Sequence, residues 1–280
     1  MPNDKDTVMD FSHAGLLIAA HGSTSAPGGR TSSRKLADTI RALDLFGDVR
    51  AGFLTQKPFV KNVLDDMKVA EVFVVPNLAC AGYVSSIKLP TALYLTGAVT
   101  ERISPNGRQR VYLTDPVGTD PALGKTMAIR IGATMQNLSM PPQDTCVVVI
   151  GHGSQKTRES FEHTQRITAD ISRQGLDVEI ITAYLEEQPF IKDWRNLTNA
   201  KNVVFAPFLI SDGYHGSNEI PQHIGFDAKA EDFIAKLSSI EPNELISDGR
   251  RLIYLPPIGD APEMAELILK RVRAAQAQSA

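Results

Sequence analysis

The sequence predicts an α/β fold made of two similar domains, each with a doubly wound parallel sheet, that arose by internal duplication. Two observations predict this class. The segment LLIAAHGS at 16–23 returns as VVVIGHGS at 147–154, and the offset of 131 residues between them holds without a gap from 16 to 93. Within each copy, short apolar runs alternate with amphipathic stretches, which is typical of strands and helices in a parallel sheet.

The repeat register holds through several separate segments, and a single matching tripeptide would not support it. The matched residues are Leu54 with Leu185, Pro58 with Pro189, Lys61 with Lys192, Pro76 with Pro207, Gly82-Tyr83 with Gly213-Tyr214 and Pro90 with Pro221. Further along, DPVG at 115–118 faces PPIG at 256–259 at an offset of 141. The second copy therefore carries about ten additional residues, which we place within 225–250.

Each element follows from its residue pattern. Continuous β-branched runs such as CVVVI predict buried strands, and apolar residues at helical spacing predict amphipathic helices. In the first copy the predicted strands are 16–20, 49–54, 71–78 and 111–113, and the predicted helices are 33–43, 57–66 and 120–136. In the second copy the predicted strands are 146–150, 178–185, 203–209 and 252–255, and the predicted helices are 158–173, 188–197 and 260–274. We expect domains at 14–137 and 144–275, joined by a Pro-containing linker.

Composition excludes several classes of function. The chain has 280 residues with 29 Lys+Arg against 32 Asp+Glu, so it lacks the broad basic field of a duplex nucleic-acid binder. No apolar run approaches the ~18 residues that indicate a membrane span, and the first residues lack the apolar core of a secretory signal. Cys80 and Cys146 are too few for a disulfide framework or a four-thiolate metal site. The expected location is the reducing cytoplasm, without a nucleic-acid or membrane partner.

Three polar residues of the second copy are predicted to meet at one edge of the sheet. His152 follows the first strand, Glu186 follows the second, and His215 lies a few residues past the third. Open parallel sheets bind ligands outside the carboxyl ends of their strands. Two imidazoles and a carboxylate suit a borderline divalent metal, or a base that takes protons from a metal-binding ligand.

The first copy serves as an internal control for this site. It keeps His21 but has Thr55 where the second copy has Glu186, and Val84 where the second copy has His215. The fold can therefore be built without the glutamate and the second histidine, which weakens a purely structural explanation for them. His163 is expected to be solvated on the exposed face of a helix, and His223 to lie in the core or on the surface.

These segments resemble a known enzyme family. VVVIGHGS, the strand ending in AYLE before Pro189, and APFLISDGYHGSNEIP are similar to class II chelatases of tetrapyrrole biosynthesis, and more narrowly to the two-copy form of the sirohydrochlorin cobaltochelatase/ferrochelatase group. The resemblance implies a chelatase-like fold with one active site in the inter-domain cleft. It also implies ATP-independent insertion of Co²⁺ or Fe²⁺ into a sirohydrochlorin-type tetrapyrrole, in cobalamin or siroheme biosynthesis.

The resemblance also implies roles for individual residues. His152 and His215 match metal-binding histidines and Glu186 matches their acidic partner, so all three are catalytic candidates. The metal ion is a substrate, nickel would also suit the site, and no nucleotide is expected. The tetrapyrrole partner carries carboxylates, which favours cationic and aromatic side chains around the cleft. The candidates are His21, Arg30, Arg34, Lys57, Tyr83, Lys88, Lys156, Arg158 and Tyr214.

Two other functions remain open at this point. One is a non-catalytic carrier of a tetrapyrrole or a metal ion that kept the fold. The other, a histidine phosphatase, is weaker because those enzymes need Arg directly before His-Gly, where this chain has Ala20 and Gly151. Two fused copies also suggest either a monomer with pseudo-two-fold symmetry or a weak homodimer.

Overall fold

Two five-stranded sheets form the framework of the protein. The computed structural model describes residues 10–22, 32–155, 158–210 and 213–278. The strands of the first sheet are β1 (Phe11–Ala20), β2 (Phe46–Phe53), β3 (Glu71–Pro76), β4 (Val99–Ser104) and β5 (Gly107–Leu113). The strands of the second sheet are β6 (Thr145–Gly151), β7 (Glu179–Tyr184), β8 (Asn202–Pro207), β9 (Asn243–Ser247) and β10 (Arg250–Tyr254). The strand orders, β2-β1-β3-β5-β4 and β7-β6-β8-β10-β9, are equivalent, as the duplication predicts.

Each sheet is mixed, whereas the sequence predicted purely parallel sheets. Four strands of each sheet run parallel, and the edge strands β4 and β9 are antiparallel to β5 and β10. Neither edge strand was predicted. Both alternate buried and exposed residues, so they lack the continuous apolar run of a strand buried on both faces.

Helices connect the strands in the predicted order. They are α1 (Ser32–Arg41), α2 (Val60–Asp66), α3 (Leu89–Leu93), α4 (Ala122–Asn137), α5 (Glu159–Ser172), α6 (Ile220–Ile224), α7 (Glu231–Ser238) and α8 (Glu263–Ala277). Two five-residue π-helical turns, Val84–Lys88 and His215–Glu219, directly precede α3 and α6. Helix α7 lies inside the predicted insertion at 225–250, and the corresponding described residues 94–98 of the first half contain no helix.

The predicted helix at 188–197 is instead a short 3₁₀ turn. It covers Ile191–Asn196 and follows a cis Gln188–Pro189 peptide bond, which matches a cis Lys57–Pro58 bond in the first half. Phe190 still pairs with Tyr184 at the end of β7. The chain therefore stays extended past Pro189, where the sequence predicted the first helical turn.

The last helix of each half packs against the other half. Helix α4 contacts α5 and β8, while α8 contacts α1 and β3. The approach of α4 to α5 is close: a Cβ added at Gly124 would lie 2.5 Å from Asp170 Cβ. On α8, Lys270 reaches the buried Asp120 at 2.8 Å, and Arg271 donates to Thr119 Oγ1 at 2.9 Å. The division into domains at 14–137 and 144–275 stays a proposal, because α4 and α8, the last helix of each range, pack against the other range.

This exchange produces one shared core and two outer cores. The shared core contains residues from both halves, among them Ile18, Ile131, Val149 and Ile268. Neighbouring strand residues such as Leu17 face the outer cores instead. The strands are thus covered on both faces, which explains the unbroken apolar runs at 16–20 and 146–150. Among the described residues, no helix combines the length and apolarity needed to cross a bilayer.

Candidate active site

The carboxyl edges of the two sheets lie at the same end of the molecule. Gly82, which follows β3, is so close to the start of α5 that a Cβ added there would lie 3.6 Å from Glu159 Oε2. The carbonyl of Gly118, which follows β5, accepts a hydrogen bond from His163 Nε2 at 2.8 Å, one turn into α5. Loops of the first half therefore contact the loops of the second half at the edge where the predicted site lies.

Two of the three predicted catalytic side chains meet at this edge. The imidazoles of His152, just after β6, and His215, the first residue of its π-helical turn, have ring centroids 4.9 Å apart and ring planes at 89°. His152 Nδ1 donates to the carbonyl of Gly153 at 3.0 Å, and His215 Nδ1 donates to Glu219 Oε2 at 2.6 Å. These acceptors require a proton on Nδ1, so in the neutral rings Nε2 carries the lone pair. Both rings are thereby prepared to bind a cation or accept a proton through Nε2.

The His-Gly turn is built in the same way in both halves. Gly153 has φ +75° and Gly22 has φ +85°. A Cβ on Gly153 would also lie 2.9 Å from Glu187 Oε1, so glycine is needed there for backbone conformation and for space. The glycines are thus explained by the fold. The His21 ring is exposed, and among the described residues its one hydrogen bond joins Nδ1 to Gly22 O at 3.1 Å. The fold therefore does not explain why a histidine stands at this position.

Glu186 is held beside His152 through the backbone. Its N–H donates to the carbonyl of His152 at 3.0 Å, and Thr55 N–H donates to the carbonyl of His21 at the same distance. This equivalence confirms the alignment of Glu186 with Thr55. The Glu186 side chain is exposed, and among the described residues no three side chains of His, Cys, Asp or Glu are arranged to hold a metal ion. The imidazole pair is formed, and the role of Glu186, as a third ligand or as a proton acceptor beside the pair, stays a proposal.

Two further carboxylates lie at the site, one at the His215 ring and one at the backbone of the turn after His152, and neither was predicted from the sequence. Glu219 contacts His215, and its other oxygen lies 3.8 Å from His223 Nε2. Glu187 Oε1 accepts a hydrogen bond from the backbone N–H of Ser154 at 3.0 Å. The spacing of His215, Glu219 and His223 at every fourth residue indicates the first contact if the segment is helical, but its glycines and Pro221 favour a loop.

The described candidates for substrate binding in the first half include Lys57, which follows β2, and Tyr83 and Lys88, which follow β3, at the same edge. Lys57 is exposed, and its carbonyl accepts a hydrogen bond from Arg34 at 2.9 Å. Tyr83, directly before the first π-helical turn, is 65 % exposed, and Lys88 ends that turn. Arg30 lies outside the described residues.

Of the predicted binding residues of the second half, the structure describes Tyr214 and Arg158. Tyr214 precedes His215, and their ring centroids are 6.2 Å apart. The guanidinium of Arg158 lies 4.8 Å from the centroid of the Phe161 ring and 3.7 Å from a carboxylate oxygen of Glu162. Lys156 lies outside the described residues.

His163 was expected to be solvated, and this is wrong. It is buried between the halves. Its Nε2 donates to Gly118 O of the first half at 2.8 Å, whereas Nδ1 lies 2.6 Å from an Arg166 guanidinium nitrogen and the ring contacts Phe208, both in the second half. Burial lowers the pKa of His163, and the adjacent Arg166 charge lowers it further while the Gly118 hydrogen bond opposes the shift. The apolar residues of α5 indicate the face that packs on its own sheet. They do not indicate that the first half covers the face that carries His163.

The two cysteines are not arranged for thiol chemistry. Both are free thiols that form no disulfide. Burial raises the pKa of each thiol, that of Cys146 to about 12. At Cys80 the nearby Glu159 carboxylate raises the pKa further. Thiolate is the reactive form, so neither is a prepared nucleophile.

Comparison with known proteins finds a matching family model and similar relatives. A family model described as CbiX matches residues 15–134 and 146–275. A relative named probable sirohydrochlorin cobaltochelatase, from Halobacterium salinarum, is 26 % identical over 269 residues, which are 91 % of this chain and 89 % of that protein.

Solved structures show the same fold. The structure of CbiX, described as the terminal enzyme for biosynthesis of siroheme in denitrifying bacteria, is similar with a TM-score of 0.67 at 23 % identity, over 93 % of this chain and 99 % of that one. DR2241 from Deinococcus radiodurans, described as a multi-domain protein with structural similarity to chelatases, is similar with a TM-score of 0.65 at 21 % identity over 93 % of this chain. This chain spans 54 % of the length of DR2241.

Proposed function

The chain belongs to the CbiX family, and we propose that it inserts a divalent metal ion, Co²⁺ or Fe²⁺, into a sirohydrochlorin-type tetrapyrrole without ATP. The observation that carries this proposal is the imidazole pair of His152 and His215, 4.9 Å apart at the carboxyl edge of the second sheet. The family match and the name of the Halobacterium relative support the reaction class.

The chemistry needs a site that holds the metal ion and then releases it. We assign the two Nε2 atoms as the ligands that receive the ion, because neutral imidazole is a borderline ligand suited to Co²⁺, Fe²⁺ and Ni²⁺. A pair of neutral ligands is an open, incomplete coordination shell, which binds less tightly than a closed structural site. The ion can therefore pass to four pyrrole nitrogens, which outnumber the protein ligands.

Insertion of one M²⁺ ion releases two pyrrole protons, so the site also needs proton acceptors. Glu186 and Glu219 are the two carboxylates we assign to this task. Glu219 is hydrogen-bonded to His215, so its negative charge stabilises an imidazolium if His215 takes a proton from the macrocycle. Its second oxygen faces His223, which continues the polar path away from the imidazole pair.

The tetrapyrrole carboxylates need cationic partners. We propose Arg30, Lys57, Lys88, Lys156 and Arg158 for this role, with His21, Tyr83 and Tyr214 contacting the macrocycle. The product would enter cobalamin or siroheme biosynthesis. The reducing cytoplasm stays the expected location, which the unbonded state of both cysteines supports. Two equivalent sheets with exchanged helices support a monomer with pseudo-two-fold symmetry.

Absorbance spectroscopy tests the proposed reaction. Protein is mixed with a large excess of sirohydrochlorin and Co²⁺ or Fe²⁺, and the spontaneous rate without protein is subtracted. We expect many product molecules per protein chain. A change that stops at one equivalent per chain would contradict the enzyme and support the carrier.

A further inference from the structure

The two π-helical turns occupy equivalent positions but carry opposite chemistry. At the repeat offset of 131, Val84 replaces His215, Ile87 replaces Asn218 and Lys88 replaces Glu219. The tyrosine before the turn is the same in both halves, Tyr83 and Tyr214. The first-half turn has therefore lost an imidazole and a carboxylate and gained two apolar side chains and a cation.

We infer that the surface formed by Tyr83, Val84 and Ile87, here called the apolar turn, binds the flat face of the tetrapyrrole, with Lys88 pairing one of its carboxylates. This inference rests on the proposed function. It divides the work between the duplicated halves: the second half handles the metal ion and the protons, and the first half holds the macrocycle.

The side chains of the apolar turn are accessible to a ligand. Tyr83 is 65 % exposed and Ile87 is 54 % exposed. In a helix with hydrogen bonds between residues five apart, positions four apart lie side by side, so these two side chains form one patch. The segment does not need these two side chains to attach to the core, because Leu89 and Leu93 of the following helix are buried in the outer core.

Hydrogen bonds to the buried Ser85 hydroxyl tie the apolar turn to the residues before it. The Ser85 hydroxyl is buried, accepts a hydrogen bond from Gly82 N–H at 3.0 Å, and lies within 3.3 Å of the Cys80 carbonyl. A planar ligand would thus find a preformed surface and would not have to order a loop, which lowers the entropic cost of binding.

Position and charge indicate the occupant. A Cβ added at Gly82, immediately before Tyr83, would lie 3.6 Å from Glu159 Oε2, so the apolar turn begins beside the first residue of α5, the helix that follows the His152 loop. Lys88 makes no ion pair with any acidic side chain in the described part of the chain, whereas the equivalent Glu219 is engaged with His215. An apolar patch that carries a cation without an acidic partner among the described residues, at the edge of the sheet where the site lies, fits a flat molecule with carboxylate arms, which is the chemistry of the tetrapyrrole.

A binding titration with metal-free sirohydrochlorin tests the inference. Tyr83→Ala and Ile87→Asn, the latter introducing the residue that the second half has, should each weaken binding and raise KM by about tenfold, since each removes about 1.5 kcal/mol of apolar burial. The kcat at saturating tetrapyrrole and the Co²⁺ affinity of the protein alone should stay within about twofold of wild type. Lys88→Glu should weaken binding most at low salt, and Lys88→Arg should restore it.

Matched controls come from exposed apolar residues elsewhere in the first half. Tyr94→Ala and Ile103→Asn change side chains that are 73 % and 77 % exposed, and they should leave KM unchanged. Unaltered thermal unfolding in all variants will show that the fold is retained.

Three outcomes would overturn the inference. They are tetrapyrrole affinity in Tyr83→Ala and Ile87→Asn equal to that of the controls, a fall in kcat at unchanged KM, and a loss of self-association at unchanged tetrapyrrole affinity. The titration needs no turnover. A wild-type protein that binds sirohydrochlorin but inserts no metal would therefore refute the proposed function and leave this inference standing.

Discussion

At the residue scale, His215 is the side chain whose loss should separate chemistry from folding. Its ring is partly exposed, and the equivalent position of the first half accepts Val84 in the same π-helical turn. We expect His215→Ala to lower metal insertion by about 10²-fold or more while the thermal unfolding midpoint changes little. Near-wild-type turnover, followed by absorbance, would show that the site is assigned wrongly.

Glu219 should tune His215 without being essential for the fold. Its carboxylate fixes the proton of His215 on Nδ1, and partners of this kind typically change metal affinity or activity by 10- to 100-fold. We expect Glu219→Gln to lower kcat by about that factor. Glu241→Gln, at an exposed glutamate beyond α7, is the control. Equal rates for the two variants would contradict the role of Glu219.

At the scale of elements, the two π-helical turns should not be interchangeable by restoring residues alone. Val84→His with Thr55→Glu rebuilds the second-half residues in the first half, yet we expect no second fast site. The reason is that the first-half turn then loses apolar surface on which the macrocycle is held. Metal titration and turnover per chain measure this, and doubled turnover with two titrating sites would refute a single active site.

Local sequence signals account unevenly for the elements. The apolar runs predicted the inner strands, because strands covered on both faces need apolar residues throughout. The edge strand β9 is joined to β10 by Asp248 and Gly249, both with positive φ, and the Asp-Gly pair is a strong hairpin signature in the sequence. The contact between His215 and Glu219 needed a helical interpretation of a segment that its glycines and Pro221 made resemble a loop.

At the scale of the whole molecule, His163 should make the joined halves sensitive to acid. Its folded pKa lies below its unfolded value of about 6.5, so the unfolded chain binds the proton more readily. The neutral, buried His163 therefore does not reduce the free energy of unfolding above pH ~6.5. That free energy falls as the pH drops below this value, because the unfolded chain takes up the proton first. Protonation would also place a second donor against Arg166, which already donates to Nδ1.

Urea unfolding between pH 7.5 and 5 checks this expectation. His163→Gln keeps a side-chain N–H able to reach the Gly118 carbonyl but removes the titration. The variant should lose less stability than wild type over this range, with the difference between the two confined to pH values below about 6.5. Parallel stability curves would contradict the role of His163.

The sequence by itself determined the duplication, the order of the elements, and the convergence of His152 and His215, because repeats and the period of apolar residues are local properties of the chain. Only the tertiary structure decided that α4 and α8 exchange partners, that His163 is buried, and that Glu219 holds His215. The pattern of a helix or strand shows which face is apolar and which is polar. It does not show which other segment of the chain will cover a face. For His163 the covering segment comes from the other half, where Gly118 lies 45 residues earlier in the chain, and the packing of the two halves selects it.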